Sequence, residues 1–262
     1  MKGEEFMKKG LRIALVVLLA FSMFALAGCG DSAATDDKKV LKVGSDIAYA
    51  PFEYMDTNGE PVGFDIDLMT AIAEDMGYGI EFETSPFDGL IMSLNAGNYD
   101  AVISAMTITE ERSESVTFSD PYFLATQLIG VKEGSDIKGS EDLKGHKVGV
   151  QLSTTGQFAV EDMGITPFKY ETTPDALNDL VNGGVDAVVA DSPVVLWFIK
   201  QNPNANLQPV EGTFEKEYYG IAMKKGNTEL ADQVNASLKK LKENGTYNDI
   251  YKKWFNTDAP SF

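Results

Sequence analysis

Apolar positions recur at helical spacing in several stretches of the chain, and short apolar runs separate them, an alternation that predicts an α/β protein. Leu68, Met69, Ile72 and Met76 predict a helix over about 65–76 that stops at Gly77. Phe87, Leu90, Ile91 and Leu94 predict a second helix, and residues 156–163 and 174–181 two more. Near the end, Leu230, Val234, Leu238 and Leu241 line one helix, while Tyr247, Ile250, Tyr251 and Trp254 line another beyond Gly245. The aromatic residues there read as core packing. Between these elements lie runs too short for helices, at 40–44, 79–83, 101–103, 147–150 and 185–190, which predict strands. Asn58-Gly59 marks a hairpin turn.

One pattern occurs twice. Leu94-Asn95-Ala96-Gly97-Asn98-Tyr99-Asp100-Ala101-Val102-Ile103 leads to Ser104 and then Arg112, and Leu180-Val181-Asn182-Gly183-Gly184-Val185-Asp186-Ala187-Val188-Val189-Ala190 leads to Asp191. Each copy reads as an amphipathic helix that stops at a glycine able to take the left-handed cap, followed by a buried strand. Two copies imply two similar α/β lobes, with crossings over 117–131 and near Tyr219. Ligands of open α/β sheets gather beyond the carboxyl ends of the strands. One lobe would therefore offer a cation and the other an anion across a shared cleft, and a free amino acid carries the complementary charges.

Length and composition set outer bounds. At 262 residues and 44% apolar content the chain can form one large domain or two modest ones. Lys2, Lys8, Lys9 and Arg12 precede the apolar stretch 13–27, which predicts an export signal over 1–28. It closes on Leu26-Ala27-Gly28-Cys29, a lipobox, so the chain's single cysteine, Cys29, is the expected lipidation site, followed by a flexible linker over 29–39. A membrane-spanning anchor with an incidental cysteine is the alternative. The net charge of −18 becomes more negative once the basic leader is removed, which excludes nucleic acid and anionic lipid surfaces as partners. The one histidine, His146, has no second histidine for a zinc site or a nucleophile relay, and no phosphate-binding P-loop is present.

Five short words then occur in order: Ala50-Pro51-Phe52-Glu53, Gly63-Phe64-Asp65-Ile66-Asp67-Leu68, Ile108-Thr109-Glu110-Glu111-Arg112, Phe118-Ser119-Asp120-Pro121-Tyr122, and Gly245-Thr246-Tyr247 with Lys253-Trp254-Phe255. Through them the chain from Lys42 to Trp254 resembles the substrate-binding proteins of polar amino-acid ABC importers, the group with histidine-, glutamine-, arginine- and lysine/arginine/ornithine-binding members. The resemblance implies a type II periplasmic-binding fold, two α/β lobes joined by two hinge strands with a ligand cleft between them. Lobe 1 would comprise 40–126 and 220–256, lobe 2 would comprise 127–219, and 257–262 would be a tail. It further implies an extracytoplasmic monomer that serves a membrane permease and an ATPase, with no cofactor, no metal and no catalytic residue.

Carried over position by position, the resemblance assigns Arg112 to the ligand α-carboxylate, a task suited to a planar, two-pronged guanidinium. Backbone donors at Thr107 and Thr155 would assist it. Asp191 would accept from the α-ammonium, with the Thr107 hydroxyl and the Ala105 carbonyl. Asp46, Tyr49, Phe52, Phe87, Ser104 and Gln151 would surround the ligand side chain. Tyr49 and Phe87 could sandwich a cationic group that Asp46 neutralises, which favours arginine, lysine, ornithine or histidine. Glutamine-binding members also carry an aspartate at position 46. Other readings stay open: a surface arginine paired with Glu110, Glu111 or Glu114 for Arg112, and a helix N-cap for Asp191. Asp65 and Asp67 read as the N-cap and first-turn acid of their helix. A cyclohexadienyl, prephenate or arogenate dehydratase on the same fold is the rival class, with Glu53 as its one candidate acid or base. A ligand sensor that signals to a receptor is a third.

Overall fold

The computed structural model describes residues 39–261. The expected export signal over 1–28, the lipidation site Cys29 and all of the linker but Lys39 lie outside the described residues. The chain begins with β1 (Val40–Ser45), β2 (Ala48–Tyr49), β3 (Glu53–Met55), β4 (Pro61–Val62), α1 (Phe64–Asp75) and β5 (Gly79–Thr84). A 3-10 turn then leads into α2 (Leu90–Ala96), followed by β6 (Ala101–Val102), α3 (Glu110–Ser115) and β7 (Val116–Phe118). The long strand β8 (Phe123–Lys132) comes next, then β9 (Val148–Gln151), α4 (Thr155–Asp162), β10 (Phe168–Tyr170), α5 (Thr173–Asn182), β11 (Ala187–Asp191), α6 (Ser192–Gln201) and β12 (Leu207–Val210). The chain returns through β13 (Lys216–Tyr219) and β14 (Ala222–Lys224) and ends in α7 (Thr228–Glu243) and α8 (Thr246–Phe255).

Two large sheets, in the orders β5-β1-β6-β14-β7 and β10-β9-β11-β8-β12, carry most of these elements, and β2-β3-β4 form a third, small one. The parallel triplet β5-β1-β6 of the first matches β10-β9-β11 of the second, and in each an antiparallel strand follows. The repeated sequence pattern accounts for this likeness. Gly97 and Gly183 end their helices at φ values of 86° and 84°, a left-handed conformation that costs glycine nothing. The aspartates that follow have identical tasks. The Asp100 carboxylate accepts from the Lys42 amide at 2.9 Å, and the Asp186 carboxylate from the Lys147 amide at 2.8 Å, which fixes the register of β6 beside β1 and of β11 beside β9.

Two strands join the sheets. β8 pairs with β11 and β12 through its second half and with β13 through its first, in the register Thr126 opposite Lys216 and Phe123 opposite Tyr219. Below this ribbon sits the largest apolar cluster, where Phe52, Phe64, Phe123, Tyr219, Tyr251 and Phe255 meet ring against ring at 4.7–6.2 Å. A second, aliphatic core of Ile129, Val131, Val148, Val150, Val160 and Val189 underlies the other sheet.

The expected N-cap role of Asp65 is corrected. Gly63 holds the N-cap position of α1 with no side-chain cap, and Asp65 turns inward and is fully buried. The apolar content of the helix explains this: Phe64, Ile66, Leu68 and Met69 are all buried, so the first turn enters the core. Asp67 does lie in the first turn, and its carboxylate accepts from Trp254 Nε1 at 2.7 Å and from Lys253 Nζ at 2.6 Å.

Candidate functional site

The carboxyl ends of β1, β6, β9 and β11 converge on a narrow, partly enclosed cavity. Tyr49, Phe87, Ser104, Ala105, Thr107 and Arg112 line it from one sheet's side. Gln151, Thr154, Thr155 and Asp191 line it from the other. Sequence reasoning had nominated all of these but Thr154.

Arg112 lies in the short helix α3, whose N-cap Thr109 accepts from the Arg112 amide at 3.1 Å. Arg112 as a whole is 9% exposed. Nη1 donates to the Thr107 carbonyl and Nη2 to the Ser153 carbonyl, both at 2.9 Å, and the Phe87 ring faces the group at 5.2 Å. The surface ion-pair reading is thus excluded by geometry, since no carboxylate bonds to it among the described residues. Burial lowers the guanidinium pKa, and Glu217 and Asp191 oppose that shift. Opposite it, Thr155 opens α4, where first-turn amides have no carbonyl of the helix behind them.

Asp191 ends β11 and occupies the N-cap position of α6, but its side chain makes no cap bond. Instead it accepts from Tyr219 Oη and Gln127 Nε2, each at 2.5 Å, and from the Tyr49 hydroxyl. Burial, then repulsion from Glu217, pushes its pKa up to about 6. Three neutral donors therefore surround a buried carboxylate that no lysine or arginine pairs with among the described residues. A bound ammonium would supply that charge.

At the other end, Asp46 accepts from Gln151 Nε2 at 2.7 Å, and its amide donates to Ser104 Oγ at 3.0 Å. Burial raises its pKa to about 6, against the Gln151 hydrogen bond, and Glu171 and Asp88 push further upward. This end is strongly acidic. Asp46 does not itself line the cavity but stands behind Gln151. Phe52 does not line it either: it is fully buried in the aromatic core, stacked behind Tyr49 at 6.3 Å. An aromatic ring without a polar tip gains most from burial there.

Glu217 was not nominated. It accepts from Thr107 Oγ1 and Thr155 Oγ1, each at 2.7 Å, and from Gln127 Nε2 at 3.0 Å, so one carboxylate on β13 joins both cavity walls to β8. Amides of the 106–108 loop and of β14's approach complete the link, with Ile108 donating to Tyr218 at 2.8 Å and Gly220 to Met106 at 3.0 Å.

Two large sheets, two connecting strands and a cavity lined by a cation and an anion define a two-lobed protein with a polar cleft between its lobes. The chain belongs to the bacterial extracellular solute-binding proteins, family 3, whose sequence profile matches residues 41–257. The type II periplasmic-binding fold follows from that membership. Among its relatives, a probable histidine-binding protein of Neisseria gonorrhoeae is 41% identical over 95% of this chain and 96% of its own. The arginine-, lysine-, histidine-binding protein ArtJ from the thermophilic bacterium Geobacillus stearothermophilus superposes with a TM-score of 0.81 at 47% identity, covering 84% of this chain and 96% of that one. An ancestral arginine-binding protein, solved bound to glutamine and bound to arginine, is 49% identical, with TM-scores of 0.81 and 0.80, covering 84% and 83% of this chain and 99% of its own.

Proposed function

We propose that this protein is an extracytoplasmic substrate-binding lipoprotein of an ABC importer, which captures one free basic amino acid by closure of its lobes and hands it to the permease. The observation that carries the proposal is the placement of Arg112 and Asp191 on opposing walls of a single cavity. A guanidinium at one wall suits the α-carboxylate, with the amides at Thr107 and Thr155 beside it. A carboxylate ringed by neutral donors suits the α-ammonium. Asp46, with Glu171 and Asp88 near it, favours a positive charge at the ligand's far end.

The relatives support the same assignment. They carry names of transport binding proteins rather than enzymes, and histidine, arginine and lysine recur in those names. Glutamine is the second reading, because a related arginine-binding protein is also described with glutamine bound. A dehydratase would have to work through Glu53, which is buried behind Ser104 and does not reach the cavity. Anchoring through a lipid on Cys29 follows from the lipobox, and a radiolabelled fatty acid incorporated by the wild type but not by Cys29→Ala checks it.

Isothermal titration with arginine, lysine, ornithine, histidine and glutamine tests the assignment. A basic amino acid is expected to bind most tightly and, at a hundredfold excess over its Kd, to stabilise the fold by about 2.7 kcal/mol. Binding of glutamine alone, or of none of the five, overturns it.

A further inference from the structure

Glu53 on β3 and Asp65 on α1 are both fully buried, and their side chains are hydrogen-bonded to one another. Glu53 Oε2 and Asp65 Oδ1 are both buried, and no donor of the described residues other than a proton on the pair itself reaches them. Two ionised carboxylates have no hydrogen to place between them, so a bond between these groups requires a proton on one. The remaining contacts say which. Asp65 Oδ2 accepts from the Ala105 amide and from Tyr122 Oη, each at 2.7 Å, and two donors favour the anion. Glu53 Oε1 accepts only from Ser104 Oγ, at 2.9 Å, which leaves Glu53 as the acid. Burial drives both pKa values upward, that of Glu53 well above its ordinary value. The titratable groups acting on the pair are Asp46, Tyr122 and Tyr247, none of them a cation, and no lysine or arginine bonds to either carboxyl among the described residues.

The pair supports one wall of the cavity from behind. Ala105 has a φ of 42°, which non-glycine residues seldom adopt, and its amide is held by Asp65. Ser104 donates to Glu53 and accepts from the Asp46 amide, so Asp46 is tied to the same pair. Neither carboxyl touches the cavity itself.

We propose that Glu53 and Asp65 share a single proton and together act as positioning residues of the cavity, fixing Ser104, Ala105 and Asp46. The positioning role rests on the amino-acid reading of the cavity; the shared proton does not. The test combines infrared difference spectroscopy of the ligand-free protein at pH 7 with titration of L-arginine. Glu53→Gln keeps a hydrogen between the side chains, through its amide, and should bind arginine within about threefold of the wild type. Glu53→Ala should weaken binding about tenfold or more, because the Ser104 hydroxyl and Asp65 lose their partner. Asp65→Asn keeps an acceptor for Ala105 and Tyr122 and keeps a hydrogen-bonding group beside Glu53, so it too should bind within a few fold. A carboxylic-acid C=O band present in the wild type should be missing from Glu53→Gln and shifted in frequency in Asp65→Asn, where the introduced amide replaces the Asp65 carboxylate as the partner of Glu53. A spectrum unchanged by either amide overturns the shared proton. Equal binding by Glu53→Ala and the wild type, or Glu53→Gln binding as poorly as Glu53→Ala, overturns the positioning role. Should the wild type bind no arginine, the amino-acid assignment fails, while the infrared comparison still decides the shared proton.

Discussion

Arg112 and Ser153 stand on opposite sides of the cleft, and Arg112 Nη2 donates to the Ser153 carbonyl at 2.9 Å. Ser153 takes a left-handed φ of 62° there, its amide held by the Gln157 side chain at 2.8 Å. The guanidinium thus has a fixed plane, with Phe87 on its face and its remaining N–H groups free to face the cavity. Removing one member of a buried, hydrogen-bonded charge pair costs about 2 to 5 kcal/mol. Arg112→Ala is therefore expected to raise the Kd for arginine by tens to thousands of fold in isothermal titration. Arg112→Lys should recover only part of that, since an ammonium cannot span the two carbonyls and a carboxylate together.

Asp191 and Asp46 should make binding pH-dependent. Both carboxyls are raised by burial from the ordinary carboxylate range to about 6. For an acid shifted upward, the folded, ligand-free state is favoured below about pH 4, and that contribution is lost as pH rises through about 6. A cationic ligand needs the ionised forms, so its affinity runs the other way. Between pH 7 and pH 5 the Kd for arginine is expected to rise by about tenfold for each carboxylate that must give up its proton, with proton release visible as a buffer-dependent binding enthalpy. Asp191→Asn should flatten part of this profile.

Glu217 joins Thr107, Thr155 and Gln127 through one carboxylate, and opening of the lobes must part at least one of those bonds. Glu217→Ala leaves three donors without that acceptor, a loss of about 1 to 3 kcal/mol. The expected result is a ligand-free form with a larger radius of gyration in small-angle scattering and a Kd raised by about tenfold. An unchanged radius and Kd would count against the clasp.

Both tryptophans of the chain lie where α6 meets α8: the Trp197 and Trp254 rings are 6.4 Å apart, and Tyr54 is 6.1 Å from each. Lobe rotation changes these separations, so saturating arginine is expected to change the intrinsic fluorescence. Trp197→Phe should remove most of that change while leaving the Kd within about threefold.

Much of this arrangement was legible in the sequence because single residues carried it. Gly97 and Gly183 announced the helix stops, Asp191 ended the second strand of the shared pattern, and Arg112 followed the first within a short helix. Other parts were hidden for physical reasons. In α6 the run Val194, Val195, Leu196, Trp197, Phe198 and Ile199 has no polar face to reveal a helical period, and β12 contains Pro209, tolerated because that strand is an edge. Phe52 and Tyr49 look alike as aromatic residues, yet only Tyr49 has a hydroxyl, which it extends to Asp191. Glu217, flanked by Lys216 and Tyr218, reads as a solvated strand residue. Its three partners are far away in sequence, at Thr107, Gln127 and Thr155.

The most direct measurement compares L-arginine with agmatine, which lacks the carboxylate, on the wild type and on Arg112→Ala. If Arg112 holds the carboxylate, the wild type should prefer arginine by at least about tenfold, and Arg112→Ala should bind the two ligands almost equally. An Arg112→Ala variant that retains the full preference for arginine would contradict the grip of this residue on the carboxylate.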